Sequence, residues 1–219
     1  MAAQPTILLI PGLNNSGPNH WQTYWENDLP NAHRVELGSW GQPRRNSWIT
    51  KLGIAISQTD APTILVAHSL GCLATAWWVA NEPDIARFSI AGALLVAPCN
   101  VDSHPVDPRL KQFGPAPRVK FPFPTIVVGS ENDPYCTLDH TKKLARKWGA
   151  RFVNAGRFGH INAESGIGDW PYGLYLLGDL LRQQNIDSFG HEAPLAPRII
   201  QRRLPIVGET IYEEGSAIP

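Results

Sequence analysis

Short apolar runs recur along most of this chain, and the spacers between them are long enough to form helices. Six runs follow one another: Ile7 to Ile10, Arg34 to Leu37, Ile64 to Ala67, Ala93 to Ala97, Thr125 to Val128 and Arg151 to Asn154. Strands that alternate with helix-length segments are typical of a parallel sheet with crossover helices. The pattern therefore predicts an α/β fold with a mostly parallel central sheet and helices on both faces.

The spacers carry helix signals of their own. We predict helices over His20 to Leu29, Trp48 to Ser57 with Asn46 or Ser47 as cap, Leu70 to Ala80, Leu138 to Trp148, and Tyr172 to Arg182. Dense proline between Asn100 and Pro124 predicts an irregular loop with at most a short helix. After Gln184 the chain turns polar and is punctuated by Pro and Gly. We therefore expect one domain over 1–184 and an extension over 185–219, either disordered or docked.

Composition excludes several classes of partner. The 219 residues carry 19 Lys and Arg against 19 Asp and Glu, so no basic excess is available to bind a nucleic-acid backbone. No apolar run approaches the roughly 18 residues of a membrane span, and the N-terminus lacks the basic segment of a secretory signal. A cytoplasmic protein is the expectation, with no membrane and no nucleic-acid partner.

The chain has three cysteines, and their spacing matches no zinc or redox motif. We expect Cys72, Cys99 and Cys136 to be reduced and buried, and we expect neither a metal nor a cofactor. Cys72 lies close enough to Ser69 to be considered as a nucleophile. Its position inside the predicted helix favours the role of a small core residue.

One strand-to-helix junction carries a possible nucleophile. The segment Ala67-His68-Ser69-Leu70-Gly71 follows the G-x-S-x-G pattern, with Ala67 in place of the first glycine. A serine at such a turn stands above the carboxyl edge of the sheet, beside the free N–H groups that begin the helix. The alternative is that Ser69 only caps the helix. The pentapeptide alone does not decide between a nucleophile and a cap. The decision depends on whether the sequence also supplies an acid and a base for Ser69.

An acid and a base follow Ser69 in the order that a hydrolase triad requires. Asp133 comes after the run "PTIVVGS", and His160 comes after "RFVNAG". On an α/β sheet the triad runs Ser, then Asp or Glu, then His, each beyond the carboxyl end of a strand. A serine hydroxyl needs such a base to remove its proton, and the base needs an acid to orient it. The order therefore predicts Ser69, Asp133 and His160 as catalytic residues.

Each partner has a competitor. Glu131 and Asp139 lie near Asp133, which could itself be a plain turn residue before Pro134. His68, beside Ser69, is an alternative base. Neighbours around a sharp turn point apart, so we expect His68 to pack beneath or beside the site.

An oxyanion hole needs two N–H donors. The elbow predicts the amide of Leu70 as one donor, and the loop "IPGLNNSGPNHW" predicts Leu13, or otherwise Asn14, as the other. The alternative is that Asn14 and its neighbours are simply turn formers. Side chains expected beside the substrate are Asn14, His68, Trp21, Trp40 and Trp170, although core packing is the alternative for any single tryptophan.

Several longer motifs resemble a known family. They are "PGLNNSGPNHWQTYWE", the spacing of Trp40, Pro43 and Trp48, "VAHSLGC", and "GHINAESGIGDWPYGLYLL". Together they resemble the small serine hydrolases related to retinoblastoma-binding protein 9, in particular the bacterial members. The resemblance implies a three-layer α/β-hydrolase fold without a large cap domain. It also implies a Ser69–Asp133–His160 triad and esterase-like or peptidase-like activity.

The sequence thus predicts a serine hydrolase that cleaves an ester or amide bond of a small molecule through an acyl-enzyme intermediate. One alternative is a non-catalytic protein-binding module on the same fold. Another is a serine peptidase that prefers aminoacyl amides. A protein partner, or self-association through the C-terminal extension, is left unspecified.

Overall fold

A computed structural model describes residues 5–102 and 107–183, apart from the side chain of residue 183. This part of the chain contains six strands: β1 (Thr6–Ile10), β2 (Ala32–Arg34), β3 (Thr63–His68), β4 (Ile90–Val96), β5 (Thr125–Gly129) and β6 (Arg151–Asn154). They form one sheet in the order β2-β1-β3-β4-β5-β6, and every neighbouring pair is parallel. The predicted parallel α/β fold is confirmed.

Helices cover both faces of the sheet. Within the described ranges they are α1 (Trp21–Asp28), α2 (Arg45–Ser57), α3 (Leu70–Asn81), α4 (Pro83–Ser89), α5 (Leu138–Trp148) and α6 (Pro171–Gln183), with 3-10 helices at Pro108–Phe113 and Ala163–Ser165. Side chains of α2, α3 and α5 form one core with Leu65 and Leu95 of the sheet. On the other face, Leu180 of α6 lies against Gly92 of β4. Residues of β3 are buried throughout, as its apolar sequence predicts for a central strand.

Two local predictions are wrong, and one helix was missed. Strand β2 ends at Arg34, where the predicted strand began; beyond it the N–H of the buried Leu37 bonds back to the carbonyl oxygen of Val35, and Gly38 has a φ of 63°. Helix α2 begins at Arg45, so Asn46 and Ser47 lie inside its first turn and neither caps it. Helix α4 was not predicted, although Pro83 at its start is a typical helix-initiating residue.

The strand order fixes where a site can form. From β1 the chain passes to β2 on one side and then to β3 on the other side. Connections that leave in opposite directions open a crevice at the carboxyl ends of β1 and β3, where ligands of open α/β sheets bind. The loop 11–20 follows the carboxyl end of β1, and Ser69 follows the carboxyl end of β3, so both lie at this edge of the sheet.

None of the helices in the described ranges is both long and apolar enough to cross a membrane. The predicted extension, 185–219, lies outside the described residues.

Candidate active site

Ser69 forms a sharp turn between β3 and α3. Its φ of 53° and ψ of −119° are unusual for a residue with a side chain, and such strain is typical of a nucleophile elbow. Its backbone N–H donates to the carbonyl oxygen of Val96 on β4 over 2.9 Å, which anchors the turn to the sheet. Its side chain makes no capping hydrogen bond to α3. The capping interpretation of this serine is therefore wrong.

Close backbone approach explains the small residues around the elbow. A Cβ atom on Gly71 would lie 2.3 Å from the carbonyl oxygen of Ile10, and one on Gly12 would lie 2.8 Å from the Cβ of Ser69. Only glycine fits at these two positions. Ala67, which replaces the first glycine of the motif, is fully buried in the core formed with α2 and α3.

A continuous chain of hydrogen bonds links the three predicted catalytic side chains. Ser69 Oγ lies 2.8 Å from His160 Nε2, and His160 Nδ1 lies 3.0 and 2.9 Å from the two carboxylate oxygens of Asp133. A carboxylate only accepts hydrogen bonds, so Nδ1 carries the proton and Nε2 is free to accept from the hydroxyl. The side chains of His160 and Asp133 are 9% and 2% exposed, so water competes little for these bonds.

The competing residues are engaged elsewhere. Glu131 accepts a hydrogen bond from Asn154, and Asp139 pairs with Lys143 within α5. The ring of His68 bonds the backbone oxygen of His160 and makes no bond to Ser69.

The three thiols are free and buried, as predicted. Burial raises the pKa of Cys99 to about 12 and that of Cys136 to about 11. Burial also raises the pKa of Cys72 well above its usual value, and its Sγ contacts the carbonyl oxygens of Ala67 and Val96. All three are therefore protonated thiols near neutral pH, and Cys72 is a core residue.

Two polar side chains connect the loop that carries the acid to the loop that carries the base. Asn132 Oδ1 accepts from the N–H of Gly159 over 2.9 Å, and Ser130 Oγ accepts from the N–H of Phe158 over 3.0 Å. Ser130 also donates to Asn132 over 3.1 Å. The sequence did not single out either residue, because Ser and Asn before Asp-Pro look like ordinary turn formers.

The loop after β1 lies against the elbow. Leu70 is the first residue of α3, so its N–H lies outside the helical hydrogen-bond ladder. The N–H of Asn14 donates to the carbonyl oxygen of Trp40 over 2.9 Å. Arg34, at the end of β2, supports the loop through bonds to Asn15 Oδ1 and the carbonyl oxygen of Ser16. Of the two residues considered for the second donor, Asn14 thus has an amide that is already engaged.

The residues predicted to contact substrate divide into two groups. Trp21, Trp170 and His68 are 0%, 3% and 5% exposed and are therefore buried side chains. Apolar packing explains the two tryptophans, whose rings lie 5.1 Å apart. Asn14, within the loop after β1, is exposed, and the half-buried Trp40 accepts a hydrogen bond from the backbone N–H of Asn14.

A surface groove of about 430 Å³ runs beside His160. Its lining includes Asn132, Arg157 and two exposed aromatic rings, those of Tyr135 and Phe158. The Tyr135 ring meets the His160 ring edge-on at 4.6 Å. Within the described ranges, no group of three or more His, Cys, Asp or Glu side chains is arranged to hold a metal ion.

Two further histidines lie behind the base. The ring of His68 lies 4.9 Å from that of His160 and 4.7 Å from that of His20. Burial, together with the nearby Arg34 and His160, lowers the pKa of His20 to about 3. Burial, with His20 and His160 adding to it, also lowers the pKa of His68 well below its usual value. Both rings are therefore neutral near pH 7.

Comparison with known proteins identifies the family and the fold of this chain. A family described as serine hydrolase matches residues 7–179. The chain belongs to the serine hydrolase family. A YdeN-like hydrolase from Pectobacterium atrosepticum is 32% identical, with 83% of this chain and 92% of that one covered and a TM-score of 0.73. The ydeN gene product of Bacillus subtilis is 21% identical over 81% and 99% of the two chains, with a TM-score of 0.64.

More distant solved structures share the fold. Est1E from Butyrivibrio proteoclasticus is 12% identical to this serine hydrolase, covers 82% of this chain and 90% of its own, and has a TM-score of 0.59. No curated protein sequence matches the chain. Family and fold together make this protein an enzyme of the α/β-hydrolase type, and residues 5–102 and 107–183 contain no large cap domain.

Proposed function

We propose that this enzyme hydrolyses an ester or amide bond of a small molecule through an acyl-enzyme intermediate on Ser69. The observation that carries the proposal is the unbroken hydrogen-bond chain from Ser69 through His160 to Asp133. A packed scaffold has no need for a strained serine bonded to a histidine that is itself bonded to a buried carboxylate. This arrangement activates a hydroxyl near neutral pH.

The reaction then has two symmetrical halves. His160 Nε2 takes the proton of Ser69 as Oγ attacks the carbonyl carbon of the substrate, and the carbonyl oxygen becomes an oxyanion. When the tetrahedral intermediate collapses, His160 returns that proton to the departing alcohol or amine, and the acyl group stays on Oγ. Water then takes the role of the serine hydroxyl and releases the acid. Asp133 orients His160 and stabilises its protonated form.

The oxyanion would be held by the amides of Leu70 and Leu13. The closeness of Gly12 to Ser69 brings the loop after β1 within reach of the nucleophile, and the Asn14 amide is already bonded to Trp40. Asn14 and Trp40 remain the proposed substrate contacts at this loop. Two preorganised N–H donors contribute several kcal/mol to such a transition state, about 3 for one donor.

Hydrolysis of 4-nitrophenyl acetate by purified protein tests this proposal. We expect the wild type to turn over the ester and Ser69→Ala to lose about 10⁴-fold or more in kcat. The Ser69 side chain makes no capping bond, so the variant should melt within a few degrees of the wild type. A folded Ser69→Ala protein that retains wild-type kcat would show that another residue is the nucleophile.

Further predictions come from the sequence. They are a relationship to the hydrolases related to retinoblastoma-binding protein 9, a cytoplasmic location, and the division into 1–184 and 185–219.

A further inference from the structure

Two consecutive carbonyl groups of the loop that carries the base are each held by a ring N–H from a distant element. His68 Nε2, at the end of β3, bonds the carbonyl oxygen of His160 over 2.9 Å. Trp21 Nε1, at the start of α1, donates to the carbonyl oxygen of Ile161 over 2.9 Å. Both bonds are buried, so solvent cannot take the place of either donor.

The loop needs such support because it has little regular structure of its own. Between β6 and α6 it contains only one short 3-10 helix, Ala163–Ser165, and Ile161 has a φ of 49°. A β-branched residue with positive φ is held there only by its surroundings. The bonds from Ser130 and Asn132 restrain the chain before His160, whereas those from His68 and Trp21 restrain His160 itself and the residue after it.

The bond from His68 fixes which ring nitrogen carries a proton. A carbonyl oxygen only accepts, so Nε2 of His68 must carry the proton. Burial and the neighbouring His20 and His160 rings lower the pKa of His68 well below its usual value, which keeps the ring neutral. His20 packs edge-on against it at 4.7 Å, and the Nδ1 of His20 accepts the N–H of Gln22 in α1.

We propose that His68 and Trp21 are positioning residues, whose ring N–H groups hold the His160 and Ile161 carbonyls and so keep His160 Nε2 in contact with Ser69 Oγ. This inference rests on the proposed function, in which His160 is the base. It gives a structural role to two buried residues. A displacement of a reacting group by about 1 Å can cost about 100-fold in rate.

A matched pair of tryptophan substitutions tests the role of Trp21. Trp25 lies on the same helix, is equally buried, and donates its Nε1–H to the carbonyl oxygen of Asp169 over 2.7 Å, nine residues beyond the base. Trp21→Phe and Trp25→Phe each remove one ring N–H bond to a backbone carbonyl. We expect similar losses in melting temperature, but a fall in kcat of about 10- to 100-fold for Trp21→Phe alone. KM for 4-nitrophenyl acetate should change much less.

A second pair tests His68. We expect His68→Leu to lower kcat by a similar factor, and His68→Gln to recover most of it, since a glutamine amide can donate to the same carbonyl. Equal kcat values in the two His68 variants, or in the two tryptophan variants, would overturn the inference. Ser69→Ala in the same assay separates the two claims. If Ser69→Ala is inactive while Trp21→Phe and His68→Leu turn over normally, the inference fails and the proposed function stands.

Discussion

His20 is a buried histidine whose structural role depends on its being neutral. Its side chain caps α1 by accepting the N–H of Gln22, and its ring packs against His68 behind the base. Only 4% of it is exposed. Because burial lowers its pKa from 6.5 to about 3, protonation is far more favourable in the unfolded chain than in the folded protein.

This shift predicts acid sensitivity with a definite sign. Between pH 6.5 and 3 the unfolded state binds a proton at His20 and the folded state does not, so the free energy of unfolding falls as the pH falls. From pH 7.5 to pH 5, the titration of His20 alone should lower the free energy of unfolding by about 2 kcal/mol.

The variant His20→Asn tests this prediction, because it keeps a capping oxygen and removes the titrating ring. Urea unfolding at both pH values should therefore show a loss smaller by about 2 kcal/mol in that variant. Equal losses in both proteins would refute the assignment.

At the scale of elements, the elbow depends on how closely α3 approaches the end of β1. A Cβ atom on Gly71 would lie 2.3 and 2.6 Å from the carbonyl oxygens of Ile10 and Pro11. These are backbone atoms of the central sheet and the turn that follows, so they cannot move aside as a flexible side chain would. Gly17 in the loop after β1 has no heavy atom within 4 Å of its ideal Cβ position.

The two glycines make a matched test. We expect Gly71→Ala to lower the free energy of unfolding by about 3 kcal/mol or more, because the strand and helix must separate. Gly17→Ala should change it by no more than about 1 kcal/mol. Denaturant unfolding measures both. If Gly71→Ala were as stable as Gly17→Ala, the close contact between β1 and α3 would not exist in solution.

Elements and site residues differ in how far the sequence predicts them. The central strands and α5 follow from their residues because burial and helix signals act locally, and α5 was predicted to the residue. The order of Ser69, Asp133 and His160 identified the residues that the fold brings together. By contrast, Ser130, Asn132 and the ring N–H of Trp21 act through contacts between loops far apart in sequence. No local pattern distinguishes such residues from turn formers or core residues.

At the scale of the whole molecule, the fold brings loops from four strands to one edge of the sheet. The loop after β1 and the elbow after β3 would supply the amides and the nucleophile, and the loops after β5 and β6 would supply the acid and the base. The central claim is that this assembly activates a single serine. Unlike turnover, covalent capture of that serine does not depend on knowing the physiological substrate.

Reaction of the full chain with a fluorophosphonate, followed by intact mass, measures activation most directly. We expect one label on the wild type and none on Ser69→Ala. Labelling should be slower by about 100-fold or more for His160→Ala, because this variant has no base. It should also be strongly reduced for Asp133→Asn, because the base is no longer held in its orientation. Equal labelling of the wild type and Ser69→Ala, or a folded wild type that takes up no label, would contradict the account.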